Sequence, residues 1–469
     1  MLVNLIVKPV WIFAIDRNVQ NSVGHEAYGQ YQALLSFSII FQVLLDFGLQ
    51  SYNSRTVSQS PKIMKTLFPN IVLAKGLLSI VYFVLIMSLG LLIGYRGHAL
   101  FLLFFLSFVQ ILNSFLLYLR SNVSAMHHFK TDSLLSVTDR LFMIVVCGFL
   151  LFFPPWNAAF KIEWFIYAQI ASYIVTGSIA FFICRRMTVL NWRHFHFLKV
   201  WAICKRSFPY ALLIFLMAVY LRADAIIIER ILPDGKEEAG VFAAGFRLLD
   251  VANNVSGVLF AGILLPLFGR LLAKREAVSP IVQVSINLLL PFAFTVMLAA
   301  WFFGTDIMKM LYVEATDYDG QVFSVLMSAF PGFCIGYVYA TLLTANGNLK
   351  QLIILSLIAV IFNLTFNFIL IPRYGALGAA VSAVLTQLIL AIFNIKIAQK
   401  LIHLKRDWIW LLQYVAFISL MFLACWLLRS WPLQLYAQLA IVAFTGLLLM
   451  LVCGFIPYYK IKELLLQKL

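Results

Sequence analysis

Residues 68–94 read FPNIVLAKGLLSIVYFVLIMSLGLLIG, twenty-seven positions with one charge, Lys75. A run of this length and apolarity matches a hydrocarbon core about 30 Å thick. Similar runs recur along the chain at 1–15, 30–53, 99–119, 134–154, 163–184, 208–229, 239–267, 281–304, 322–345, 351–371, 375–398, 409–428 and 434–456. With 68–94 they make fourteen. A helix satisfies its own backbone in lipid, and a closed barrel needs alternating ten-residue strands that this sequence lacks. The fold class read here is an all-α polytopic membrane protein with about 14 transmembrane helices. Composition agrees: of 469 residues 63% are hydrophobic and 12% charged, about half the charge of a soluble domain.

The net charge of +16 follows from sidedness and gives no reason to expect a nucleic-acid partner. One set of alternate loops carries 22 of the 35 Lys and Arg residues, including Arg55, Lys62, Arg120, Lys130, the 185–206 cluster and Lys460 to Lys468. The opposite set carries 8: Arg17, Arg96, Lys161, Arg230, Lys236, Lys309, Arg373 and Arg429. Because Lys and Arg collect on the cytoplasmic side, the alternation places both termini in the cytoplasm. Residues 1–15 lack a basic n-region and a small-residue cleavage site, so no cleavable signal is read there. Fifteen residues fall short of a full crossing at 1.5 Å each. The expectation is a missing N-terminal piece, with a short recessed helix as the alternative.

Five cations remain inside or close to the ends of apolar runs: Lys8, Lys75, Arg140, Arg222 and Arg247. Each would cost roughly 2.5–3.5 kcal/mol facing lipid, so they are expected to face a carboxylate, one another or water. They are the candidate substrate-binding residues, and the expected cargo is anionic. Arg222 and Arg247 lead, since a planar guanidinium donates two hydrogen bonds to phosphate. Rival readings differ by residue. Arg247 and Asp250 stand at i,i+3 and can neutralise each other. Arg222 and Asp224 point about 200° apart. Arg140 and Lys75 can snorkel, and Lys8 beside Pro9 fits a broken helix. Asp46, Asp224 and Asp250 are candidates for coupling to H+ or Na+, or simple counter-ions. Asn363 and Asn367, one turn apart, suit interhelical hydrogen bonding.

The six cysteines (147, 184, 204, 334, 425 and 453) show no metal or pairing spacing and read as small hydrophobes. His127-His128 and His194-x-His196 lack acidic or thiol partners, so neither a metal nor a cofactor is expected. No loop exceeds about 25 residues, which leaves no room for a soluble catalytic domain.

An internal echo links Glu26-Ala27-Tyr28-Gly29 to Glu238-Ala239-Gly240, and Ser124-Ala125-Met126 to Thr344-Ala345-Asn346. Both pairs are six spans apart. The expected organisation is therefore a six-helix lobe at 1–184, a basic linker at 185–207, a second six-helix lobe at 208–402, and two appended helices with a tail at 403–469.

Two motifs carry a family resemblance. Gly24-His25-Glu26-Ala27-Tyr28-Gly29-Gln30-Tyr31 resembles a G-x-x-x-Y-G-x-Y element. Residues 363–380, NLTFNFILIPRYGALGAA, are similar to an N-x-x-x-N-x-x-L-I-P-x-x-G-x-x-G-A-A helix junction. Both resemble the O-antigen and capsule repeat-unit flippases of the multidrug/oligosaccharidyl-lipid/polysaccharide exporter superfamily. The resemblance implies a bacterial inner-membrane protein that moves undecaprenyl-diphosphate-linked oligosaccharide between leaflets by alternating access through a cationic central cavity. It implies membrane lipid and glycan polymerase machinery as partners. The alternatives are a multidrug/cation antiporter, which would want a net anionic cavity, a peptidoglycan-precursor flippase, and a membrane-embedded glycosyltransferase.

Overall fold

The computed structural model describes residues 7, 9–154, 160–187, 197–402 and 408–455. Among them all regular structure is helical. In chain order the α-helices are α1 (Arg17–Ile40), α2 (Leu49–Gln59), α3 (Met64–Ile93), α4 (His98–Ala125), α5 (Phe129–Phe152), α6 (Ile162–Met187) and α7 (Phe197–Ile231). They continue as α8 (Gly235–Ala273), α9 (Ser279–Leu311), α10 (Asp317–Met327), α11 (Phe330–Ala345), α12 (Leu349–Ile402), α13 (Trp408–Arg429) and α14 (Leu435–Val452). Among the described residues, ten helical segments are long and apolar enough to cross a membrane, and the 52-residue one at Leu349–Lys400, broken at Gly375, is long enough for two crossings.

The helix boundaries depart from hydropathy in two instructive places. The first helix does not stop at residue 15. It runs from residue 9 through a π-helical turn at Trp11–Asp16 into α1, and breaks at Gly24 (φ 81°, ψ 170°). That backbone region is essentially glycine-only. Arg17, read from sequence as a loop cation, is therefore helical. The second run, 30–53, is interrupted. A 3-10 turn at Phe41–Leu45 leads into a reversal at Phe47 (φ 43°) and Gly48 (φ 80°) before α2 begins.

The chain divides into two compact units, Met1–Gly240 and Val241–Leu469. In the first, α4 is central and packs against α1, α2, α3, α5 and α6, while α7 lies along α1. In the second, α9 plays that part for α10, α11, α13 and α14. Of the linker expected at 185–207, residues 188–196 lie outside the described residues. The expected appended helices, α13 and α14, dock on α9: Tyr414 donates to the Ile286 carbonyl and Asn287 Oδ1, each at 3.3 Å, and Gly446 sits against Thr295.

The apolar α3 has a packed face and an outer face that composition conceals. On α3, Phe68, Ile71, Lys75, Ser79, Tyr82, Ile86 and Gly90 are buried at three- and four-residue spacing, while Leu77, Ile80, Val81, Val84 and Leu92 are exposed. Lys75 is thus on the packed face, where snorkelling is impossible. On α12, Asn367 Nδ2 donates to Asn363 Oδ1 (3.2 Å), and Ser382 Oγ donates to the Asn363 carbonyl (3.2 Å) across the Gly375 turn. The two amides thus bond to each other within one helical segment, and Asn363 Nδ2 reaches across the turn to Ser382 Oγ at 3.5 Å.

Candidate functional site

The break at 41–48 explains why a lysine is buried in α3. Ending a helix leaves carbonyls without an amide partner. The Leu45 carbonyl accepts from Lys75 Nζ at 2.9 Å and from Ser114 Oγ at 3.2 Å. Lys75 Nζ also donates to Ser114 Oγ at 2.8 Å and to Asp46 Oδ1 at 3.0 Å. Three acceptors meet an ammonium's three donors. Asp46 in turn accepts from the Gln50 amide, at 3.3 Å to Oδ1, at the start of α2. Lys75 is 1% exposed and Asp46 29%. The structure thus joins a substrate-binding candidate to a coupling candidate, and the pair seals a broken helix. Ser114 escaped the sequence reading, although Ser107, Gln110 and Ser114, at three- and four-residue spacing, and Ser121, two turns further on, form a buried polar stripe on α4.

The first helix carries two further residues missed from sequence. Asp16 is 3% exposed and accepts a 2.9 Å hydrogen bond from the Tyr28 hydroxyl. Arg17 donates through Nη2 to Asn18 Oδ1 at 3.0 Å, and its buried Nε has no hydrogen-bond partner among the described residues. Arg140 lies with its guanidinium carbon 5.5 Å from the Trp11 ring centroid and 3.6 Å, through Nε, from Asp139. Trp11 itself stacks on Phe165 at 5.8 Å. The Arg140 guanidinium therefore lies over the Trp11 ring of the first helix. Lys8 lies outside the described residues.

Where the chain leaves this helix, two glycines close a crossing. A Cβ on Gly29 would collide with the Lys236 carbonyl, and one on Gly240 with the His25 carbonyl. Gln20 Nε2 donates to the Gly240 carbonyl at 3.1 Å and lies 3.0 Å from His25 Nδ1. The echoed segments Glu26–Gly29 and Glu238–Gly240 thus meet face to face. Beside them Arg230 stacks on Tyr95 at 3.6 Å and pairs with Glu229 at 3.1 Å, while the Tyr95 hydroxyl donates to Glu229 at 3.2 Å. Burial, then the Glu229 charge, pushes the Tyr95 phenol above its ordinary range and keeps it a donor.

Arg222 and Asp224 lie on α7. Asp224 is 2% exposed, whereas Arg222 is half-buried, as their offset round the helix requires. Arg222 precedes Ile231, the last residue of α7, by nine positions, about 13 Å along the axis. Arg247 and Asp250 lie on α8, both half-buried and one turn apart, with Arg247 about 18 Å from the helix start at Gly235. Asn254 extends their stripe and donates to the Asp250 carbonyl at 2.8 Å. None of Arg222, Asp224, Arg247 and Asp250 stands without an interacting neighbour. Among the described residues, no group of three His, Cys, Asp or Glu side chains could hold a metal ion.

Comparison with known proteins places these features. The family model described as polysaccharide biosynthesis protein matches residues 17–272. Among curated protein sequences none matches. Among solved structures, the chain is similar to the lipid II flippase MurJ in an inward closed conformation, with TM-score 0.74, 13% identity and coverage of 98% of this chain and 100% of that one. It is also similar to a multidrug resistance MATE family transporter of the MOP superfamily. The inward-facing form gives TM-score 0.66, 15% identity and 84% and 94% coverage; the outward-facing form gives 0.58, 16%, and 86% and 94%. At these identities the likeness is one of fold.

Proposed function

Because this chain belongs to the polysaccharide biosynthesis protein family, we propose that it is a flippase for an anionic, lipid-linked oligosaccharide. It carries the head group across the bacterial inner membrane by alternating access, with both termini in the cytoplasm, while the polyprenyl tail stays in lipid. The observation that carries the reading is the depth of Arg222 and Arg247. Each is half-buried more than two helical turns from the near end of its helix. A guanidinium kept at that depth, rather than replaced by an apolar residue, suits a bidentate hold on a pyrophosphate. Lys75 and Arg140 support that reading less directly. Lys75 fixes the helix break and Arg140 fixes the first helix, so both shape the path rather than touch the cargo.

Asp224 is the coupling carboxylate that fits best, being buried on the same helix as Arg222; H+ or Na+ would drive the cycle. The chemistry is movement rather than bond-making, and a glycan polymerase would take the delivered unit. The test is export of lipid-linked repeat units in cells carrying Arg222→Ala or Arg247→Ala. Loss of export with normal membrane levels of protein is expected. Full export in both variants removes the basis of the proposal. Sensitivity to cationic drugs on gene deletion, with normal export, would favour the antiporter reading instead.

A further inference from the structure

The first unit carries a cavity of about 550 Å³ that none of the transport candidates lines. It lies between α2, α4 and the first turn of α5, and one face of each helix builds it. Ser54 and Ser58 stand one turn apart on α2, and Ser121 and Ser124 nearly so on α4, so each pair shares a face. The joint between the helices is fixed. Asn53, fully buried on α2, donates to Ser121 Oγ at 3.2 Å and to Asn122 Oδ1 at 3.0 Å. The cavity is therefore part of a packed scaffold.

Its charge is unbalanced. Arg55 enters from α2, Arg120 from α4 and Asp132 from α5. Arg120 Nε donates to Asp132 Oδ1 at 2.9 Å, which engages one of five guanidinium donors and the one carboxylate of the lining. Arg55 is exposed and has no ion-pair partner among the described residues. Two guanidinium groups against one carboxylate leave a net positive charge among hydroxyls. That combination suits a phosphodiester flanked by hydroxyl groups.

The position selects the source. Arg120 lies five residues before the end of α4, a helix of membrane-crossing length, and Arg55 four before the end of the short α2, so the charge sits at one end of α4. Both belong to the basic loop set. Phe129 and Leu134, on the α5 segment that supplies Asp132, are exposed large apolar side chains against which an acyl chain can lie. Basic pockets at this depth hold anionic lipid head groups. We propose that this cavity binds the phosphate head group of an anionic membrane lipid such as phosphatidylglycerol, at a site separate from the transported cargo.

The test uses the full-length protein in detergent and follows thermal unfolding during titration with phosphatidylglycerol, phosphatidylcholine, glycerol 3-phosphate or inorganic phosphate. Phosphatidylglycerol is expected to stabilise selectively. Arg55→Gln should weaken its apparent affinity about tenfold, the loss expected for one charge-assisted hydrogen bond. Arg55 is exposed and outside any ion pair, so this variant keeps its fold. Ser124→Leu, which fills the cavity, should weaken binding in the same direction. Lys62→Gln, an exposed charge on the same side that does not line the cavity, should leave it unchanged. Equal stabilisation by phosphatidylcholine, or equal weakening by Lys62→Gln and Arg55→Gln, overturns the site. Glycerol 3-phosphate binding as tightly as the lipid, and still sensitive to Arg55→Gln, overturns the lipid source and assigns the cavity to a soluble phosphate ester.

Discussion

Removing Asp46 should harm this protein more than removing Lys75, and removing both should harm it less than Asp46 alone. At 3.0 Å and an effective dielectric near 20, the pair attracts by about 5–6 kcal/mol before desolvation. Asp46→Asn leaves a buried ammonium with only neutral acceptors: the Leu45 carbonyl, Ser114 Oγ and the new amide. Lys75 is 1% exposed and cannot turn to water, so the expected cost is about 3–5 kcal/mol. Lys75→Met strands Asp46 instead, but that carboxylate is 29% exposed and still accepts from the Gln50 amide, so about 1–3 kcal/mol is expected. The variant carrying Lys75→Met with Asp46→Asn removes both charges. It should recover about 3 kcal/mol relative to the sum of the single changes, more than the cost of Lys75→Met alone. Tryptophan-fluorescence unfolding in mixed micelles measures all three. The export assay on the same variants separates structure from transport: recovered stability with recovered export means the two charges hold the broken helix and do not carry cargo. Additive losses, or a smaller loss for Asp46→Asn than for Lys75→Met, would refute the reasoning.

Three further perturbations follow from single contacts. Gly240→Val places side-chain atoms against the His25 carbonyl, so it should destabilise by about 1–3 kcal/mol, read as a lower unfolding midpoint; an unchanged midpoint would mean that the crossing is not tight. Asn363→Leu removes one acceptor of the buried Asn367 Nδ2, at about 1–3 kcal/mol, whereas Asn363 and Asn367 both changed to Leu should cost less than the sum. Tyr28→Phe strips a donor from the buried Asp16 and should cost about 1–3 kcal/mol; adding Asp16→Asn should relieve part of it, because a neutral amide tolerates burial better. Equal midpoints for Tyr28→Phe with and without Asp16→Asn would argue against a charged Asp16.

Much of the fold could be read without coordinates, because the signals are local. Twenty apolar residues match the thickness of a bilayer wherever they occur. The motif around Gly375 marks a helix junction for a similarly local reason, since the reversal there needs glycine geometry. The pairing of Asn363 with Asn367 needed only helical spacing.

What the coordinates decided is the partner of each polar group. Residues 41–48 are mostly apolar, and hydropathy carries a helix straight through them; the break is possible because Lys75 and Ser114, 30 and 69 residues away, supply donors for the Leu45 carbonyl. Asp16 and Arg17 sit among polar residues that resemble a loop, yet the segment is helical and Asp16 is buried where the Tyr28 hydroxyl, twelve residues on, donates to it. Lys75 is a snorkelling candidate in sequence and a fully bonded internal cation in space. The sequence by itself determined which segments enter the membrane, since transfer from water depends on each segment's own atoms. Only the tertiary structure determined which buried charges are satisfied and by what, since that depends on donors and acceptors brought together from distant parts of the chain.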